Sequence, residues 1–415
     1  MKSHRAVITG MGAITPLGSS IDTFWNGLVN GVSGVCKITQ FDATDFPCQI
    51  AGEIPDFNPE LYLDRKEARR LPRSAQSALA SAIQAVSDAG LPGIMPDKER
   101  SAVVYGTALG GIDQIDEGII VLRTQGYSRV NPFTIPFGIP NLSSFLIARQ
   151  FQCLGPNSTI VTACATGTQT IGEAAELIRR GKADLVITGG TESLIKDYSI
   201  AGFCAMRALP LNYNENPTAA SRPFDADREG FILSEGAGTL VVEDLEHALE
   251  RGARIYAEII GQSSTSDAFH IAQPDPEAEG AIRTMRWALD DAGIAPTEID
   301  YINAHGTSTP LNDSTETKAI KAVFGDHAYK LAISSTKSMI GHAMGASGTL
   351  EAIACVLTIV HETIHPTINY SKPDPDCDLD YVPNQARKQA VRTTLSNSFG
   401  LGGQNACLIL KIFEQ

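Results

Sequence analysis

An α/β fold made of two similar halves is what this sequence predicts. Strand-like and helix-like segments alternate along the 415 residues, and alternation of this kind makes a largely parallel sheet covered on both faces. Two helix-to-strand passages repeat. One runs A-S-A-I-Q-A-V-S-D-A-G to a strand ending at Gly106-Thr107, and its twin runs A-I-R-T-M-R-W-A-L-D-D-A-G to a strand ending at Gly306-Thr307. A second pair follows, with Ala165-Thr166-Gly167-Thr168 opening one helix and Ala346-Ser347-Gly348-Thr349 another.

Taken in order, the first strand is Arg5–Thr9, closed by Gly10-Met11-Gly12. The next glycine, Gly18, is misplaced for a dinucleotide loop, so the pair reads as a strand-to-helix turn. Helices follow near 74–89, 165–180, 277–292, 313–323 and 346–361. Further strands lie near 101–106, 159–163, 184–189, 238–243, 256–261, 299–304 and 405–412. The halves fall at 1–250 and 251–415. The first carries roughly 20 extra residues, around 112–140, including the stiff apolar stretch N-P-F-T-I-P-F-G-I-P-N, which suits an interface or a pocket wall. A pseudo-twofold would place a site between the halves, drawing on both.

Bulk properties exclude several classes. With 43% hydrophobic residues and mixed charge, the chain can build a core. A net charge of −14 argues against nucleic acid as a general partner. The eight cysteines (36, 48, 153, 164, 204, 355, 377 and 407) form no C-x-x-C, so no zinc site or redox dithiol is expected. No signal-peptide pattern or unbroken run of 18 apolar residues is present, so a reducing cytoplasm with free thiols is expected and no membrane is.

Three residues stand out chemically. Cys164 lies where a β-rich run (S-T-I-V-T-A-C) meets a helix, so free N–H groups and the dipole would favour its thiolate. His305 ends a strand and empties into G-T-S-T-P, at the carboxyl edge where α/β sheets bind ligands. His342 lies in a Gly-rich turn before a helix. The other cysteines read as core residues, since a lone Cys is usually structural. The charged run R-P-F-D-A-D-R-E-G-F (222–231) reads as scaffolding.

Eight strings, in order, carry a resemblance: V-I-T-G-M-G, N-P-F-x-I-P, T-A-C-A-T-G-T, G-G-T-E-S, R-P-F-D-A-D-R-E-G-F, H-G-T-S-T-P, S-T-K-S-M-I-G-H-A-M-G-A-S-G and N-S-F-G-L-G-G. Over essentially the whole chain the sequence resembles the elongating β-ketoacyl-acyl-carrier-protein synthases, closest to type II, of the thiolase-like superfamily. The resemblance implies a five-layered αβαβα fold and decarboxylative Claisen condensation in fatty-acid elongation. Cys164 would carry the acyl group. His305 and His342 would stabilise the enolate left when the malonyl group loses CO₂, with Lys337 and Glu351 in support. The N–H groups of Cys164 and Leu401 would form the oxyanion hole, and Thr307, Thr309, Phe399 and Leu401 would bind the pantetheine arm. No cofactor is expected beyond a possible structural monovalent cation. A homodimer is expected, and acyl carrier protein would dock on Lys66, Arg69, Arg70, Arg129 and Arg207, the first three on one helical face.

The sequence departs from the family at Leu401, where a gating Phe is usual; a smaller branched side chain predicts a looser gate. That keeps a discrete polyketide or polyene ketosynthase as an alternative. A thiolase would need a second catalytic cysteine at the C-terminal Gly-rich loop, initiating synthases use Asn where His342 stands, and a chain-length factor would lack Cys164. Phe133, Phe203 and Met206 are expected pocket walls by size; chain-length preference is not legible.

Overall fold

The computed structural model describes residues 4–414, so Met1–Ser3, at the head of the stretch read for a signal peptide, and Gln415 lie outside it. Ten strands form one hydrogen-bonded sheet. In chain order they are β1 (Ala6–Ile14), β2 (Ser101–Gly106), β3 (Asn157–Ser158), β4 (Leu185–Glu192), β5 (Gly236–Asp244), β6 (Ala257–Ser266), β7 (Tyr301–Asn303), β8 (Ala332–Ser334), β9 (Thr393–Gly400) and β10 (Gln404–Lys411). Across the sheet they run β8-β7-β9-β10-β6-β1-β5-β4-β2-β3. Each half therefore uses its five strands in the spatial order third, second, fourth, fifth, first, and the halves meet where β1 pairs with β6.

Six helices fill equivalent positions: α1 (Arg73–Asp88), α2 (Leu142–Phe151), α3 (Thr166–Arg179), α4 (Glu279–Ala292), α5 (Pro310–Phe324) and α6 (Ser347–His361). The duplicated D-A-G endings close α1 and α4 through Gly90 and Gly293, both left-handed at φ near +65°. Leu79 and Ala82 of α1 and Ile147 of α2 pack on one outer face of the sheet. Met285 and Leu289 of α4 and Ile320 of α5 pack on the other. Between the half-sheets lie α3 and α6, giving five layers. The stretch Met344–His361 is apolar enough to cross a membrane, with mean hydropathy 1.4, yet 89% of it is buried in this central layer.

Three expectations change. The sheet is mixed: pairings are parallel toward its two ends (β2 with β3 and β4, β7 with β8 and β9), while the centre is antiparallel. The cause is plain in the second half, where β9 and β10 are joined by residues 401–403 alone, and so short a link permits only an antiparallel hairpin. Gly10-Met11-Gly12 is not a turn, because β1 runs through it. A Cβ on Gly10 would lie 2.2 Å from the Ala85 carbonyl oxygen, and one on Gly12 2.0 Å from that of Ser81, so these glycines let α1 press against the strand. The expected strand 159–163 does not form; the strand there is the two-residue β3 just before it, the outermost of the sheet, and Val161 is 46% exposed.

Candidate active site

The site forms where the central helices begin. Before α3 the chain makes a tight helical turn, Ala163–Ala165, with Ala163 forced into the left-handed region at φ 48°. That turn presents Cys164. The second half repeats it at Met344–Ala346, with Met344 at φ 43°, and there Gly345 stands where the first half has its cysteine. His342 leads into this second turn, and His305 follows β7. Cys164 Sγ and ring nitrogens of His305 and His342 all lie within 4.8 Å of one another, and all three residues are buried. The imidazoles meet edge to face, with centroids 5.5 Å apart.

Burial sets the protonation states. Desolvation holds both imidazoles well below the ordinary histidine value, and the charge of Lys337 pushes the same way. Both rings are therefore neutral near pH 7. Lys337 Nζ lies 3.4 Å from His305 Nδ1, and an ammonium can only donate, so the ring proton sits on Nε2. His342 Nδ1 meets Ser347 Oγ at 2.8 Å, and its buried Nε2 has no partner. When the Ser347 hydroxyl donates to Nδ1, Nε2 carries the ring proton and is a donor left for substrate to engage. Lys337 also pairs with Glu351, both fully buried.

Cys164 behaves differently from the sequence expectation. Its position before a helix favours a thiolate, but complete burial pushes the thiol up to about 11, against the pull of the Leu401 N–H and of Lys337. The resting group is a thiol. The Leu401 N–H reaches the Cys164 sulfur from the tip of the β9–β10 hairpin. A Cβ on Gly400 would sit 2.9 Å from the Thr162 carbonyl oxygen and 3.3 Å from the Cys164 nitrogen, so glycine lets the hairpin approach the nucleophile. The tip is tied down where Asp267 donates its N–H to the Gly403 carbonyl at 2.8 Å and accepts from Asn405 Nδ2 at 2.6 Å.

A cavity of about 550 Å³ opens onto Cys164, His305 and His342, lined also by Thr307, Thr309, Phe399 and Leu401. The two threonine hydroxyls lie 2.9 Å apart. Phe203 and Met206 line this cavity, whereas Phe133, expected as a wall, does not. It is 48% exposed and lines a separate surface cavity with Arg70. Leu401 is 36% exposed at the mouth. With no aromatic ring there, Leu401→Phe is expected to slow acyl loading and to change chain-length preference; unchanged loading rates across a substrate panel would contradict the looser gate.

Lys66, Arg69, Arg70, Arg129 and Arg207 are all exposed, but only Arg207 lines the catalytic cavity. The helix meant to align the first three is a four-residue turn, Arg65–Ala68, that ends before Arg69. The 222–231 run is scaffolding as expected: Arg228 pairs with Asp374 at 2.5 Å, and Asp225 accepts the N–H groups of Ser371 and Lys372 at 2.7 Å each.

Glu316 was missed. Fully buried on α5, it accepts the N–H groups of His305 and Gly306, each at 2.8 Å, and burial pushes its carboxyl up to about 7. The available signal was an acid on the inward face of α5, one turn before the buried Ile320.

Residues 3–248 match the beta-ketoacyl synthase N-terminal domain and residues 256–371 its C-terminal domain. The chain is 50% identical to 3-oxoacyl-[acyl-carrier-protein] synthase 2 of Coxiella burnetii over the full length of both. It is 48% identical to the protein of the same name from Synechocystis sp., covering all of this chain and 99% of the other. Among solved structures it matches AntDE:AntF, a type II PKS acyl-carrier protein in complex with its ketosynthase, with TM-score 0.91, 35% identity and full coverage of both chains. With its thiolase-like layers, its buried Cys-His-His centre and these matches across both halves, the chain belongs to the β-ketoacyl synthase family.

Proposed function

We propose that this synthase extends fatty acyl chains by decarboxylative condensation with malonyl-acyl carrier protein, with residues 1–250 supplying the nucleophile and 251–415 the two histidines. The observation that carries the reading is the convergence of Cys164, His305 and His342 in one buried cavity, with an unpartnered Nε2 on His342. Cys164 Sγ attacks the acyl thioester, a C–S bond forms, and the carrier thiol leaves with the cysteine proton. The N–H groups of Cys164 and Leu401 hold the transient oxyanion. The malonyl thioester then enters. Its bond to the carboxylate breaks, CO₂ leaves, and the electron pair moves into an enolate whose oxygen accepts from the Nε2–H groups of His305 and His342. The enolate carbon attacks the acyl carbonyl, and the Cys164 thiolate leaves and regains a proton. Thr307 and Thr309 hold the pantetheine arm, and Phe399 lines its path.

The test is intact-mass analysis with carrier-bound acyl groups from C2 to C16 plus malonyl carrier. An acyl adduct on the enzyme followed by β-ketoacyl carrier is expected. Condensation of free acyl-CoA esters without any carrier-derived adduct would instead indicate a thiolase. A preference for polyketide-like acyl groups would support the second reading, which the match to a PKS ketosynthase and the Leu401 departure favour.

Acidic acyl carrier protein would dock through Lys66, Arg69, Arg70, Arg129 and Arg207, since a chain of net charge −14 otherwise repels it. The carrier complex seen for AntDE:AntF supports an acyl-carrier partner. Lys66→Glu with Arg69→Glu is expected to raise KM for carrier substrates roughly tenfold and to flatten its salt dependence, leaving free pantetheine thioesters unaffected. Unchanged KM for the carrier would remove the patch from the account.

A homodimer is proposed on the exposed apolar insertion, where Ile120, Leu122, Tyr127, Phe133 and Ile135 are 48–85% exposed beside the open edge of β3. Asn303 Oδ1 and Ser396 Oγ, on register-paired residues of β7 and β9, and Glu351 Oε2 of α6 are buried without partners, which supports a monovalent cation bracing Lys337. Potassium or sodium should raise Tm relative to tetramethylammonium at equal ionic strength; equal Tm values would contradict it. The eight unpaired cysteines support a cytoplasmic setting.

A further inference from the structure

Behind the catalytic groups lies a fully buried polar cluster that the chemistry above does not use: Tyr301, Asn303, Ser334, Thr336 and His365. It bridges two elements that must keep register. Tyr301 and Asn303 belong to β7, which leads to His305. Ser334 ends β8, and Thr336 immediately precedes Lys337. His365 comes from neither and touches both.

The hydrogen-bond directions follow from the donors available. His365 Nδ1 lies 3.1 Å from the Pro366 carbonyl oxygen, which can only accept, so Nδ1 carries the proton. Nε2 is then a bare acceptor. Around it stand the Thr336 hydroxyl at 3.1 Å, the Tyr301 hydroxyl at 3.2 Å and Asn303 Nδ2 at 3.3 Å. The Asn303 amide donates to Thr336 Oγ1 at 2.8 Å and to the Tyr301 oxygen at 3.1 Å, so these hydroxyls accept from Asn303 and pass their own protons on. Tyr301 also meets Ser334 Oγ at 2.7 Å. Without an acceptor at the end, the chain of donors has nowhere to terminate, and a buried hydroxyl would be left with an unmade bond.

We propose that His365 is a positioning residue for decarboxylation: by accepting through Nε2 it locks Asn303 and Thr336, and with them the separation of His305 from Lys337. The inference rests on the proposed function, because the positioning matters only if those two groups serve the malonyl step. Cys164 and the Leu401 N–H lie on other elements, and Lys337 reaches the thiol only through its charge, so acyl loading depends far less on the cluster than CO₂ release does.

The experiment compares the two half-reactions in His365→Leu, His365→Gln and Thr336→Val: acyl transfer from carrier to Cys164 by rapid-quench mass analysis, and CO₂ release from malonyl carrier. His365→Leu is expected to slow CO₂ release roughly 10- to 100-fold while acyl loading stays within about twofold. His365→Gln, which restores an acceptor near Nε2, should recover much of the loss. Thr336→Val should reproduce the Leu phenotype and serves if His365→Leu does not fold. Equal loss in both half-reactions, no loss in either, or a loss in Gln that tracks a lowered Tm would overturn the proposal. A wild type that neither loads acyl groups nor releases CO₂ would overturn the functional reading as well; an active wild type with an unchanged ratio in the variants overturns only the positioning.

Discussion

Cys164→Ala is expected to cut condensation by at least about 10⁴-fold while malonyl decarboxylation stays within roughly tenfold of wild type. The two activities use different atoms. Condensation needs a C–S bond at Sγ, and no other described cysteine can substitute: Cys355 and Cys407 are buried in the core, and Cys407 lies in β10 beyond the hairpin tip. Decarboxylation needs donors for the enolate oxygen. Those are the Nε2–H groups of His305, whose tautomer Lys337 sets, and of His342, whose Nδ1 is engaged by Ser347 and not by the thiol. Carrier-bound substrate with product analysis by mass checks both numbers. Parallel loss of the two activities would mean that the cysteine shares in the malonyl step.

Lys337→Met is expected to be the most damaging single change to stability near the site, costing about 3–5 kcal/mol. Lys337 is 1% exposed and Glu351 fully buried, so removing the ammonium strands a carboxylate in the central layer. Burial already raises the Glu351 carboxyl, with Lys337 pulling it back; without Lys337 it rises further. A raised folded-state value means that the folded variant binds more protons than the unfolded chain above the ordinary carboxylate range. Its stability should therefore fall as pH rises from about 5 to 8. Adding Glu351→Leu should recover stability, because a buried pair can be replaced by apolar groups, but not activity, because His305 Nδ1 has lost its donor. Denaturant melts across pH on the single and double variants decide this. A double variant no more stable than the single would show that Glu351 is not the stranded charge.

How much of this was legible follows from what each residue faces. Cys164, His305 and His342 were readable because each sits in a small-residue turn beside a strand or helix, where a reactive side chain has room. The duplication was readable because the D-A-G helix endings survive in both halves. Strand β9 was not: T-T-L-S-N-S-F-G looks like a loop, yet it is a central strand whose buried Ser396, Asn397 and Ser398 serve the site instead of the core. Glu316 hid because its partners are backbone N–H groups, which leave no sequence pattern. The protonation of Cys164 was misjudged because a helix start is visible in sequence and complete desolvation is not. Phe133 lies outside the cavity of its own chain and is exposed on the insertion, where a second chain would be needed to make it a wall.

The central claim is that two neutral imidazoles, His305 and His342, hold the enolate. The most direct measurement is the pH dependence of malonyl-carrier decarboxylation by Cys164→Ala, which removes the acyl step. Both rings are held well below the ordinary histidine value of 6.5, so the rate should stay flat from about pH 8 to about pH 5.5. A rate that rises or falls with a midpoint near 6.5 would mean that an imidazolium forms within that range, and the neutral-donor account would fail.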